Sequence, residues 1–146
     1  MTDTMKVSDV LEYAIKIEHE SMLFYNNAAV QMVNPEAKEL VELLAGEEID
    51  HESRLIDKLK KIGDELTIKL DRTDLDQLIS VSEINAFDDE KTVLETALQR
   101  EKNTRNFYAQ VATMTNLDAD IVDLFDELYN QESGHVKKIT NRLAKL

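Results

Sequence analysis

The chain has 146 residues, a formal net charge of −13 and no cysteine. Its 30 acidic residues against 17 basic ones argue against a nucleic-acid partner, because phosphate binding requires clustered cations. The absence of cysteine excludes disulfides and thiolate metal sites from this sequence. Glycine (3) and proline (1) are scarce and 42% of the residues are hydrophobic, which predicts a single all-α domain with its own core.

The first predicted helix begins near Ser8, a favourable N-cap residue, and runs to about Val33. Its apolar residues recur at alternating spacings of four and three, on a stripe that also contains Glu18. Asn34 and Pro35 end this helix and begin the second, because asparagine caps a helix and proline suits its first position. The second helix is predicted to end at about residue 62.

A long connection, residues 63–87, interrupts the helical pattern. Within it, residues 64–70 are predicted to be extended and residues 75–80 to form a short helix. The connection is long enough to cross the whole length of a helical bundle. The second and third helices are therefore predicted to run parallel.

Two further helices follow, one from about residue 88 and one from the turn at residues 116–118 to the C-terminus. The halves 8–62 and 88–146 form an internal repeat, with a shift of 83 for the first and third helices and of 84 for the second and fourth. The aligned pairs include Glu18/Glu101, Tyr25/Tyr108, Glu48/Glu132 and His51/His135.

Each half contains one glutamate followed by a Glu-x-x-His motif, all on the apolar stripes. The six residues are Glu18, Glu48, His51, Glu101, Glu132 and His135. Burying four ionised carboxylates without compensation would cost many kcal/mol, whereas two divalent cations would balance their charge. The pattern predicts a di-metal site in a four-helix bundle, with Glu48 and Glu132 bridging the two ions.

Oxygen and imidazole ligands suit iron, manganese or zinc, and of these only iron and manganese give redox chemistry. Tyr25 and Tyr108 each follow the single glutamate of their helix by seven residues. They are either core aromatics or groups that donate a hydrogen bond or an electron to the site. Glu47, just before the second-helix motif, and Asp50, within it, are expected on a solvated face.

These motifs resemble those of rubrerythrin-like proteins of the ferritin superfamily, over essentially the whole chain. The resemblance rests on residues 14–18, 24–25, 45–52, 101–108 and 131–135. It implies an up-down-down-up four-helix bundle with a long crossover between the second and third helices, around a di-iron centre. It also implies reduction of hydrogen peroxide or dioxygen in oxidative-stress defence by a homodimer.

The sequence departs from rubrerythrins in two respects. It lacks the four cysteines of a rubredoxin domain, so an external, rubredoxin-like electron donor is expected. Thr104 stands where rubrerythrins carry an additional glutamate, three residues after Glu101. The remaining six-ligand set is similar to the ferroxidase centre of bacterioferritin. Ferroxidase or iron handling is therefore one alternative function, and a non-enzymatic zinc-binding bundle is another.

Residues 1–6 contain no apolar run, and no later stretch reaches the roughly 18 apolar residues of a membrane helix. We therefore expect a cytoplasmic protein with neither a signal peptide nor a membrane partner.

Overall fold

The computed structural model describes residues 3–62, 67–70, 89–113 and 117–146. Four long helices account for most of them: α1 (Val7–Gln31), α2 (Pro35–Lys61), α3 (Glu90–Ala112) and α4 (Ala119–Leu143). Two short antiparallel strands, β1 (Asp3–Lys6) and β2 (Thr67–Leu70), pair with Asp3 opposite Leu70. The predicted helix at 75–80 lies outside the described residues.

Local capping explains where two of the helices begin. Asn34 Oδ1 accepts hydrogen bonds from the backbone N–H groups of Glu36 and Ala37, at 2.8 and 3.2 Å, and Pro35 opens α2. Asp89 caps α3 through a 2.8 Å bond to a backbone N–H of the first turn. These contacts satisfy donors that a helix N-terminus leaves unpaired, as the sequence pattern predicted.

The start of α1 differs from the prediction, because Lys6 rather than Ser8 is the N-cap residue. The backbone N–H of Lys6 donates to Asp9 Oδ2 at 3.1 Å. Val7, the first helical residue, is buried in the core, so packing favours a helix that begins before Ser8. The strand β1 immediately before it was not predicted. It pairs with β2, which lies within the segment predicted to be extended.

The helices form two antiparallel hairpins, α1–α2 and α3–α4, and contacts between these hairpins fix the helix directions. The α1–α3 contacts are Tyr25 with Glu101 and Tyr108 with Glu18, so these two helices are antiparallel. The contacts from α2 to α4 are Lys58–Asp120, Arg54–Gln131 and Glu47–Lys138. These two helices are also antiparallel, so α2 and α3 point the same way. The bundle is therefore up-down-down-up, which confirms the predicted ferritin-like architecture.

The apolar core consists of two clusters, one towards each end of the bundle. One cluster contains Leu11, Leu55, Phe107 and Phe125, and the other contains Phe24, Leu44, Leu94 and Ile139. The buried polar residues lie between them along the helices, so each cluster closes one end of a polar layer. Among the described helices, none combines the length and apolar character that a membrane span requires.

Candidate metal centre

All six residues that the repeat singled out meet at the middle of the bundle. Each of these residues is at most 2% exposed: Glu18, Glu48, His51, Glu101, Glu132 and His135. The three-residue spacing of Glu48 and His51 on α2 places both on one helix face, and the same holds for Glu132 and His135 on α4. The helices α1 and α3 each add one glutamate from the opposite side.

The donor atoms of these residues form two overlapping groups, each within 4.8 Å. One group is Glu18, Glu48, His51 and Glu132, and the other is Glu48, Glu101, Glu132 and His135. Only Glu48 and Glu132 belong to both groups. Two carboxylates could therefore bridge a pair of ions, while each ion receives one further glutamate and one histidine.

His51 turns its Nδ1 atom towards the site. This atom lies 3.3 Å from Glu18 Oε2 and 3.1 Å from Glu132 Oε1. The imidazole rings of His51 and His135 are nearly parallel, with centroids 5.5 Å apart and an interplanar angle of 12°. The two histidines thus face the carboxylates side by side, one for each donor group.

His135 has contacts on both sides of its ring. Its Nδ1 lies 2.9 Å from Glu48 Oε1 and 3.3 Å from Glu101 Oε2. Its Nε2 lies 2.5 Å from Glu47 Oε2, and the other oxygen of Glu47 accepts a hydrogen bond from Lys138 Nζ at 3.3 Å. The prediction that Glu47 is on a solvated face is therefore wrong. Its side chain is 35% exposed and binds a residue of the site.

Two buried tyrosines donate hydrogen bonds to carboxylates of the opposite hairpin. The Tyr25 hydroxyl donates to Glu101 Oε1 at 2.5 Å, and the Tyr108 hydroxyl donates to Glu18 Oε1. Burial, with the neighbouring carboxylates, raises the pKa of both phenols well above its usual value. Both hydroxyls therefore stay protonated and remain donors.

The carboxyl groups divide into two electrostatic types. Burial, followed by repulsion from neighbouring carboxylates, raises the pKa of Glu48 and Glu132 well above the usual value. Burial also acts to raise the pKa of Glu18, but hydrogen bonds from Glu48 and His51 outweigh it and lower that pKa. Hydrogen bonds from Glu132 and His135 likewise lower the pKa of Glu101 to about 2, against the effect of burial. In the metal-free protein, Glu48 and Glu132 therefore keep their protons to higher pH than Glu18 and Glu101 do.

The histidines complete this charge balance. Burial acts to lower the pKa of His51, but its hydrogen bond and attraction to Glu18 raise it overall. Contacts with Glu101, Glu132 and Glu48 raise the pKa of His135 strongly despite burial. Protonated imidazoles are therefore favoured beside the carboxylates of Glu18 and Glu101 when no metal is bound.

The residues fit a pair of divalent cations. Among the described residues, four buried side-chain atoms have no hydrogen bond of normal geometry, and three of them are carboxylate oxygens of this cluster: Glu18 Oε2, Glu48 Oε1 and Glu132 Oε2. Each of these three oxygens lies 2.9–3.6 Å from a histidine Nδ1 atom without hydrogen-bond geometry, and a cation is a natural partner for such buried oxygens. Four carboxylates carry −4, which two divalent ions balance while the imidazoles stay neutral.

A cavity of about 390 Å³ on the α2–α4 face reaches the two histidines. Its lining consists of Glu47, Asp50, His51, Gln131, Gly134, His135 and Lys138. A Cβ atom added at Gly134 would meet no atom within 4 Å, so the space beside this glycine is open. The cavity offers a route from the surface to the buried donor groups.

Together, the helix directions and the two donor groups define a ferritin-like four-helix bundle with a site suited to two metal ions. The rubrerythrin family model matches residues 9–143, and the chain belongs to this family. Comparison with curated proteins and with solved structures finds no match. The family implies a di-iron centre, and the buried glutamates and histidines supply a group that could hold one.

Proposed function

We propose that this protein is a non-haem di-iron oxidoreductase that reduces hydrogen peroxide or dioxygen in cytoplasmic oxidative-stress defence. The observation that carries the proposal is the pair of overlapping donor groups, in which Glu48 and Glu132 are shared. Such sharing suits two ions held close together rather than one structural ion. Membership of the rubrerythrin family supports iron as the metal.

Each ligand has a position in this proposal. Glu18 and His51 would hold one ion, Glu101 and His135 would hold the other, and Glu48 and Glu132 could serve both. The iron pair, when bound, supplies the two electrons that convert one peroxide and two protons into two water molecules. The ligand set contributes −4 and no thiolate, so it would balance the charge of two ferrous ions with oxygen and imidazole ligands.

The surrounding side chains orient the ligands and control access. The hydroxyls of Tyr25 and Tyr108 each hold one oxygen of a terminal glutamate, which leaves the second oxygen for a metal. The apolar clusters on either side exclude water from the ends of the site. The cavity on the α2–α4 face is the proposed route for the oxidant. Because the sequence has no cysteine, electrons are proposed to come from an external, rubredoxin-like donor.

Anaerobic iron loading tests the proposal. The protein receives two equivalents of ferrous iron per chain and is mixed with stoichiometric hydrogen peroxide or with air, while near-ultraviolet absorption reports oxidised iron. We expect rapid oxidation by peroxide and slower oxidation by air. A Glu48→Ala variant, treated in the same way, should bind less iron and show no fast phase. Tight zinc binding without iron binding would contradict the redox function and support the zinc alternative.

One observation favours a second candidate function, ferroxidase activity. The position three residues after Glu101 is Thr104, whose buried hydroxyl donates to the backbone carbonyl of Arg100 at 3.0 Å. The site therefore has six ligands and no seventh carboxylate at that position. Fast oxidation by dioxygen that continues well beyond two irons per chain would support iron handling, whereas a single rapid turnover with peroxide would support the peroxidase.

A further inference from the structure

The two walls of the α2–α4 cavity come from equivalent helices of the internal repeat, but they carry different side chains. A shift of 84 residues pairs Glu47 with Gln131 and Asp50 with Gly134, which all line the cavity. The same shift pairs Arg54, beside the cavity lining on α2, with Lys138, which lines the cavity. The basic position is kept in both halves, whereas the two acidic positions occur only on α2. The two histidines at the base of the cavity therefore have different neighbours.

The first difference is a carboxylate against the outer nitrogen of His135. Nδ1 of this ring faces the buried glutamates, 2.9 Å from Glu48 Oε1, so it is the nitrogen available to a metal. The hydrogen on Nε2 then points outward and is donated to Glu47 at 2.5 Å. Lys138 holds the second oxygen of Glu47 at 3.3 Å, which fixes the carboxylate against the ring.

Among the residues that the structure describes, His51 has no such partner. Its Nδ1 also faces the site, 3.1 Å from Glu132 Oε1. Within the described part of the chain, no carboxylate accepts a hydrogen bond from its Nε2. Gln131, which occupies the position equivalent to Glu47, is a neutral amide whose Oε1 accepts from Arg54 Nη1 at 3.4 Å.

This asymmetry bears on metal binding. A carboxylate that accepts the outer N–H of an imidazole makes the opposite nitrogen a stronger ligand and fixes the ring orientation. We propose that Glu47 is a positioning residue that makes the Glu101–His135 position the tighter of the two and the first to fill. The inference rests on the proposed di-metal function, since it concerns the order in which two ions enter the site.

A titration of the metal-free full chain with Co²⁺ tests the order in which the two positions fill. Visible absorption reports the bound ion, and competition with a chelator measures its affinity. Wild-type protein should bind two ions in two distinguishable steps. Glu47→Ala should weaken the first step by about 10- to 100-fold. Glu47→Gln, which keeps a neutral acceptor, should fall between the two.

Glu52 provides a matched control. It also lies on α2, and its carboxylate contacts a histidine, the exposed His19, at 3.4 Å. Glu52→Ala removes the same charge from the same helix without touching a ligand, so both Co²⁺ steps should stay unchanged. Equal weakening in Glu47→Ala and Glu52→Ala would overturn the positioning role, because it would show a general charge effect.

A double-mutant comparison assigns the effect to one half of the site. In a His51→Gln background, Glu47→Ala should still weaken binding, whereas in a His135→Gln background it should have no effect. Gln131→Glu keeps all six ligands and should tighten the second step, so it tests the inference even if a histidine variant fails to fold.

Two outcomes separate this inference from the proposed function. Two Co²⁺ ions bound with wild-type affinities in Glu47→Ala would overturn the role of Glu47 and leave the di-metal site standing. A wild-type chain that binds neither Co²⁺ nor Fe²⁺ would overturn both.

Discussion

The hydroxyl of Tyr25 on α1 donates a 2.5 Å hydrogen bond to Glu101 on α3, across the boundary between the two helical hairpins. Tyr108 on α3 makes the reciprocal contact with Glu18 on α1. Each tyrosine therefore orients the candidate ligand of the other hairpin rather than that of its own. The buried site is thus also a connection between the two halves of the fold.

Replacing Tyr25 with phenylalanine should destabilise the metal-free protein. The change removes one donor from the buried Glu101 carboxylate, which should cost about 1–3 kcal/mol. Chemical denaturation with a chelator present measures this loss. Tyr129→Phe, at a partly buried position packed against the apolar core, is the control and should change stability by less. Equal stability of wild type and Tyr25→Phe would show that the hydrogen bond makes no net contribution to the free energy of unfolding.

Replacing Glu48 with glutamine should separate metal binding from folding. Glu48 belongs to both donor groups, so metal content should fall from two ions towards one or none. The pKa of Glu48 is raised because its ionised form is unfavourable in the metal-free protein. Losing the charge should therefore not destabilise the metal-free protein. A ligand at 100 times its dissociation constant stabilises by about 2.7 kcal/mol, and the variant should lose stabilisation of this order.

Thermal unfolding of wild type and Glu48→Gln, each with excess metal and with chelator, measures both effects. The melting temperatures should differ with metal and agree without it. A variant that retains two ions and wild-type stability would contradict the bridging role of Glu48.

Metal binding should release protons and strengthen as pH rises. In the metal-free protein, the pKa values of Glu48, Glu132, His51 and His135 are raised, so these four groups hold protons more tightly than free side chains do. Two divalent ions must displace these protons. Calorimetric titration in buffers of different ionisation enthalpy should report up to four protons released per two ions. Proton release near zero would contradict the charge balance.

The free energy of unfolding of the metal-free protein should decrease as pH rises above the mildly acidic range, whereas metal binding strengthens. Groups whose folded-state pKa is raised stabilise fully below their usual pKa, which is 4.5 for Glu48 and 6.5 for His51, and lose this contribution as pH rises through the folded value. Glu101, with a lowered pKa of about 2, contributes above 4.5 and loses its contribution as pH falls to about 2. Denaturation midpoints with chelator should therefore be highest at mildly acidic pH.

The sequence predicted the helices and the six clustered residues because both depend on local periodicity. A Glu-x-x-His motif on an apolar stripe must face the core of whatever bundle forms. Glu47 could not be identified in this way, because its contact with His135 depends on the spacing between α2 and α4. The periodicity of a single helix does not predict that spacing. The strand β1 was missed for the same reason, since it is defined by pairing with β2, more than sixty residues away.

Replacing Gly134 with leucine should narrow the route to the metal site without disturbing the fold. Gly134 lines the cavity on the α2–α4 face, and an added Cβ would meet no atom within 4 Å. Gly46 is the matched control, because it is also helical, also has open space at Cβ, and does not line the cavity. Removing a glycine from a helix interior should stabilise either variant by roughly 0.5–1 kcal/mol. Stopped-flow oxidation of the iron-loaded proteins by peroxide should be slower for Gly134→Leu and unchanged for Gly46→Leu. Equal rates in all three proteins would mean that the oxidant reaches the site by another path.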